Sequence, residues 1–162
     1  MRYADAKVVF SEVPDEITLA VSISGCPGTC EGCHSPWLRE DKGEELDKTS
    51  LHKLIEDNPG ISCICLMGGD QNTAYLMTMF HWLKTKHPEL KTAWYSGLDK
   101  PDDTSILKYL DYLKVGPYRK NLGPLNSPTT NQRFYKIIHT SVPSTLLVDQ
   151  THLFWKKDSS EK

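Results

Sequence analysis

Ile17-Thr-Leu-Ala-Val-Ser-Ile-Ser-Gly25-Cys-Pro-Gly-Thr-Cys-Glu-Gly-Cys-His34 is the stretch from which the rest of the chain can be read. Residues 17 to 24 alternate apolar and polar side chains, the period of a strand with one buried face. That strand runs directly into a loop carrying Cys26, Cys30 and Cys33. Gly25, Gly28 and Gly32 let the loop curl so that three sulfurs can point inward, because glycine reaches positive φ at little cost. Pro27 stiffens the turn. Thiolates favour iron–sulfur clusters or zinc. Loops with four ligands make closed structural or electron-transfer sites, whereas three thiolates leave one position of a metal centre open. A zinc reading recruits His34 as the fourth ligand, although adjacent Cys33 and His34 reach one tetrahedral ion only with strain.

Outward from this loop, short apolar runs alternate with amphipathic ones. Arg39 to Glu45 is a charged connector. Leu51, Leu54 and Ile55 recur at helical spacing over residues 47 to 57, and Asn58-Pro59-Gly60 stops them. Ile61 to Met67 reads as a strand ending in Gly68-Gly69-Asp70. Thr73 to His87 sets Leu76, Met79, Phe80 and Leu83 on one stripe. Thr92 to Ser96 is a strand closed by Gly97. Asp102 and Asp103 open a short helix, where acidic residues suit the helix dipole. Tyr112 to Val115 is a strand, residues 117 to 130 form a long loop, and Arg133 to Ile138 is extended. This order predicts an α/β domain with a mostly parallel sheet. Ligands gather at the carboxyl ends of such strands, so the cysteine loop, Gly68-Gly69-Asp70 and Tyr95-Ser96-Gly97 are expected on one edge.

The 162 residues predict a single domain spanning 1–162, with the cluster loop at 25–37 and a polar tail from about 156. A content of 38% hydrophobic and 25% charged residues supports one ordinary core. The net charge of -2 predicts no broad basic surface for nucleic acid. No apolar run reaches the roughly 18–20 residues that cross a bilayer, so no membrane association is expected. The first residues lack the apolar stretch of a signal peptide. Together with the odd cysteine count, this predicts a reducing, cytoplasmic setting. Cys63 and Cys65 share a strand face and read as core packing.

The spacing Cys26-x3-Cys30-x2-Cys33 resembles the cluster motif of the radical S-adenosylmethionine (SAM) superfamily. Within it the chain resembles the glycyl-radical activating enzymes, most closely those that activate anaerobic ribonucleoside-triphosphate reductase. Gly32, His34-Ser-Pro-Trp37, Gly68-Gly69-Asp70, Tyr95-Ser-Gly97, Lys114-Val-Gly-Pro-Tyr118 and Asn131-Gln-Arg133 carry that resemblance. It implies a compact, partial (β/α) barrel of radical SAM type. It also implies a [4Fe–4S] cluster on the three cysteines, with an open iron that chelates the amino acid end of SAM.

The resemblance further implies reductive cleavage of SAM by an electron from a donor such as flavodoxin or ferredoxin. The resulting 5′-deoxyadenosyl radical takes hydrogen from a glycine of the large partner reductase. Gly68 and Gly69 would allow close approach of SAM, with Asp70 accepting from its ammonium group. Tyr95, Ser96 and Gly97 would face the ribose, Gly32 and His34 would flank the adenine, and Cys33 would also contact the cofactor. Activation of another glycyl-radical enzyme, of formate-lyase type, and a non-catalytic zinc adaptor are the alternatives. His52, His81, His87, His139 and His152 lack ligand spacing and read as surface residues. The loop from Gly116 to Arg133, with Arg119, Lys120 and Arg133, is the expected partner contact.

Overall fold

The structure is a computed structural model that describes residues 1–141 and 144–155. The expected polar tail from about 156 lies outside the described residues. Among the described residues eight strands form one sheet: β1 (Arg2–Val9), β2 (Thr18–Ile23), β3 (Glu44–Glu45), β4 (Cys63–Met67), β5 (Lys91–Tyr95), β6 (Tyr112–Val115), β7 (Arg133–His139) and β8 (Thr145–Asp149). Their order across the sheet is β3-β1-β2-β4-β5-β6-β7-β8. The α-helices are α1 (Lys48–Asp57) and α2 (Thr73–Lys86), supplemented by short 3-10 turns such as Thr104–Tyr109.

Local chemistry explains where these elements begin. Asp47 accepts from the Ser50 amide at 2.8 Å while the Ser50 hydroxyl accepts from the Asp47 amide at 2.9 Å. This reciprocal cap satisfies amides that the first turn of α1 cannot pair internally. The Asn72 side chain accepts from the Tyr75 amide and caps α2 in the same sense. The apolar stripe of α2, Leu76, Met79, Phe80 and Leu83, is buried against the sheet. The sheet presents Leu19, Val21, Ile64, Leu66, Trp94 and Leu113 to this layer. A smaller core on the opposite face gathers Val13, Cys63, Cys65, Ala93, Tyr112 and Phe134, with Leu125 and Phe154 packed against it.

The pairing pattern overturns the expected mostly parallel, partial (β/α) barrel. β2, β4, β5 and β6 are mutually parallel. The pairs β1–β2, β1–β3, β6–β7 and β7–β8 are antiparallel, so the sheet is mixed. A (β/α) barrel needs a helix after each strand, yet the β5–β6 crossover is only a 3-10 turn. The sequence concealed this because Arg2–Val9 has no clear alternation and β8 is open to solvent on both faces. Both strands owe their state to a neighbour rather than to their own pattern. Among the described residues no helix is long and apolar enough to cross a membrane.

Candidate functional site

The four parallel strands end on one side of the sheet, with Ser22 level with Met67, Met67 with Tyr95, and Tyr95 with Lys114. Each strand end therefore delivers its loop to the same rim. The cysteine loop leaves β2, Gly68-Gly69-Asp70 leaves β4, Ser96-Gly97 leaves β5, and Lys114 lies near the end of β6.

Asp70 ties two of these loops together. Its Oδ1 accepts from the Ser96 hydroxyl at 2.7 Å and its Oδ2 accepts from the Gly97 amide at 2.8 Å. Gln71 ties in a third, since its side-chain amide donates to the Ser24 carbonyl at 2.8 Å, next to the glycine that opens the cysteine loop. Gly68 accepts from the Trp94 indole at 2.9 Å and donates to the Tyr95 carbonyl at 2.8 Å. Gly69 has a different reason to be glycine. Its φ is +86°, and a Cβ there would lie 2.7 Å from the Leu76 side chain. The missing side chain at this position is space taken by α2.

The cysteine loop is held by backbone and by one arginine. The Cys26 amide donates to the Leu38 carbonyl at 2.8 Å, closing the loop at its base. Arg39 donates from Nε to the Gly28 carbonyl at 3.1 Å and from Nη2 to the Cys30 carbonyl at 3.0 Å. The Gly28 amide donates to Cys26 Sγ and the Ser35 amide to Cys33 Sγ, both at 3.4 Å. A Cβ at Gly28 would stand 3.3 Å from the Cys26 sulfur and 3.9 Å from that of Cys30, so two sulfurs flank one glycine.

All three thiols are free and half-buried. Three accessible sulfurs on a glycine-rich loop, two of them already receiving amide donors, form a donor set suited to an iron–sulfur cluster. Among the described residues, no group of three or more His, Cys, Asp or Glu side chains is arranged to hold one metal ion. A single ion needs its donors about 2.0–2.3 Å from one point. A cluster instead spreads its thiolates over separate irons.

A family model described as a 4Fe-4S single cluster domain matches residues 17–138. The chain belongs to that family. No curated protein and no solved structure matches it. Iron–sulfur chemistry of the [4Fe–4S] type is thus the metal chemistry of this chain, and Cys26, Cys30 and Cys33 are the residues that could hold the cluster.

Around these thiols, Gly32 is exposed with φ +71°, and a Cβ there would meet the Lys120 side chain at 3.4 Å. The His34 ring packs against Tyr118 at 5.3 Å between centroids. Lys120 forms an ion pair with Glu31 at 3.7 Å. The cluster loop and the 116–132 loop therefore meet, and Glu31, Tyr118, Arg119, Lys120 and Asn121 line an open depression between them.

Two findings depart from the sequence expectations for the strand ends. The Tyr95 hydroxyl, expected at the ribose, instead donates to the Glu12 carbonyl, in the loop that precedes β2. Its ring packs on Phe134, and burial raises its pKa well above the ordinary tyrosine value. The second finding is Lys114. Its ammonium donates to the Gly116 carbonyl at 2.9 Å and to the Ser96 carbonyl at 3.3 Å. Burial lowers its pKa to about 8, opposed by the nearby charges of Asp70 and Cys30. The signal was available: Lys114 is the only charged residue of β6. Elsewhere, burial pushes the Cys63 thiol up to about 12 and Cys65 higher than its ordinary value, so both stay protonated in the second core.

Proposed function

We propose that this iron–sulfur protein is a radical SAM activase that installs a glycyl radical on a large partner, anaerobic ribonucleoside-triphosphate reductase. The observation that carries this reading is the placement of Asp70 and Lys114 on the rim that also bears the three-cysteine loop. The methionyl end of SAM has an ammonium and a carboxylate on one carbon. A carboxylate and an ammonium held on one rim, each bonded to Ser96, match that pair of charges.

Each residue has a defined task in this reading. Asp70 accepts from the ligand ammonium while Ser96 and Gly97 hold its carboxylate in place; a carboxylate has lone pairs for both duties. Lys114 faces the ligand carboxylate, and its partial burial strengthens that attraction. Cys26, Cys30 and Cys33 would hold the cluster and would leave one position for the amino acid group. Arg39 keeps the loop curled, and Gln71 fixes its distance from Asp70. A cluster held by Cys26, Cys30 and Cys33 and reduced by a low-potential donor such as flavodoxin or ferredoxin would supply the one electron that breaks a sulfur–carbon bond of SAM, so that methionine leaves and the 5′-deoxyadenosyl radical takes hydrogen from the partner glycine. The depression beside Tyr118, Arg119 and Lys120 opens next to the cysteine loop, where a glycine-bearing segment can approach.

The test is to mix anaerobically reconstituted protein with SAM, a reductant and an anaerobic ribonucleotide reductase, then record electron paramagnetic resonance. A glycyl-radical doublet on the reductase supports the reading. SAM cleavage without that doublet, together with a doublet on a formate-lyase-type enzyme, moves the assignment to the other activase class.

A further inference from the structure

We propose that β8 is a self-complementary edge through which two copies of this chain pair antiparallel about a two-fold axis at Leu147, joining their sheets into one. The two ends of the sheet differ in kind. At one end, β3 is a two-residue strand of Glu44 and Glu45, short and charged, which is how proteins blunt an edge against pairing. At the other end, β8 is Thr145-Leu-Leu-Val-Asp149, with no lysine, proline or bulge. Leu146, Leu147 and Val148 are 56%, 40% and 38% exposed.

The hydrogen-bond parity of β8 decides which register a second copy can take. The Gln150 amide donates to the Phe134 carbonyl at 2.8 Å, and Lys136 is level with Val148 and Ile138 with Leu146. Backbone groups alternate in direction along a strand. Residues 146, 148 and 150 therefore turn their amides and carbonyls towards β7, and 145, 147 and 149 turn theirs outward. The Ile137 amide, which donates to the Asp111 carbonyl on the β6 side, fits the same alternation.

A two-fold axis at Leu147 then places an outward amide and carbonyl opposite the same pair on the partner. Thr145 falls opposite the partner copy's Asp149, again with both residues turned outward. Leu146 falls opposite Val148, so the exposed apolar side chains cover one another.

Charge allows this register. Asp149 is the only ionised group on the strand, and the two carboxylates fall four residues apart, about 13 Å along the strand. That exceeds the screening length of about 8 Å at physiological salt. Because the β3 edge is blunted, association stops at two copies. A five-residue edge is a small interface, which makes the pairing concentration-dependent.

The test uses the full chain, cluster-loaded and kept anaerobic. Sedimentation across micromolar to millimolar concentration should show a rise from one chain mass to two and no further. Hydrogen exchange should slow at the Leu147 amide as concentration rises, while the Val148 amide, already bonded to β7, changes little. Leu147→Lys brings two ammonium groups together at the axis, and Leu147→Pro removes an outward amide without breaking the β7 ladder. Either variant, if folded by circular dichroism, should remain a single chain at concentrations where wild type pairs. A wild-type chain that stays single throughout overturns the proposal. So do folded variants that still pair, growth past two copies, and a Leu147 amide already protected at the lowest concentration.

Discussion

The Ser96 hydroxyl donates to Asp70 across 2.7 Å, linking the end of β5 to the loop after β4. Ser96 is buried, so this bond both satisfies a hydroxyl away from water and aims a carboxylate at the rim. Asp70→Asn keeps the size of the side chain and removes its charge. Hydrogen bonds to charged groups contribute about 1.5–3 kcal/mol, so SAM affinity should fall by roughly tenfold or more. Equilibrium dialysis of labelled SAM against cluster-loaded protein checks this; unchanged affinity places the ligand elsewhere.

Cys30→Ala removes one sulfur and leaves the Arg39 bond to the residue 30 carbonyl intact, because that bond is to backbone. Iron and sulfide content should drop to near background, while circular dichroism stays close to wild type. Arg39→Gln reverses the emphasis: all three sulfurs remain, but the Gly28 and Cys30 carbonyls lose their clamp. Its cluster should load and then be lost faster under a chelator than in wild type.

Lys114 gives a pH signature in the cluster-free chain. Its folded pKa is about 8 against an ordinary 10.5. Between those values the unfolded chain binds the lysine proton and the folded chain does not, so this group makes stability rise with pH across roughly 8 to 10.5. Below pH 8 both states are protonated and the burial penalty is at its largest. Urea unfolding of wild type and Lys114→Met at several pH values should show a difference that narrows as pH climbs through this window. A difference independent of pH contradicts the assignment.

Gly69→Ala tests the backbone at the ligand rim. The new methyl group meets Leu76 at 2.7 Å in a left-handed conformation. Strain and overpacking together should cost roughly 2–4 kcal/mol. Gly60→Ala is the useful comparison: its φ is +89°, but nothing lies within 4 Å of the added Cβ, so only the conformational part applies. Thermal melts of the two variants separate the contributions.

Much of the parallel centre was legible in the sequence, because its strands and helices carry their own patterns. Ile17 to Ser24 reads as β2, Leu51 and its neighbours as α1, and the Leu76 stripe as α2. The expectation that three loops share one rim follows from that order, and the Asp70 bonds to Ser96 and Gly97 place two of them in contact. The antiparallel margins were not legible. β1 lacks a clean alternation and β8 is apolar on both faces, so neither shows which neighbour holds it. Tyr95 misled for a related reason: a tyrosine at a strand end has a long side chain, and this one runs along the sheet to Glu12. Arg39 read as part of a charged connector because its partners are carbonyls of residues 28 and 30, which leave no trace in composition.

Whether the three-cysteine cluster takes SAM is decided by electron paramagnetic resonance of the reduced, anaerobically reconstituted protein before and after adding SAM. A [4Fe–4S] signal should change shape on addition, followed by one methionine and one 5′-deoxyadenosine for each SAM consumed. A cluster signal that SAM leaves unchanged, with the SAM recovered intact, would contradict the radical SAM reading.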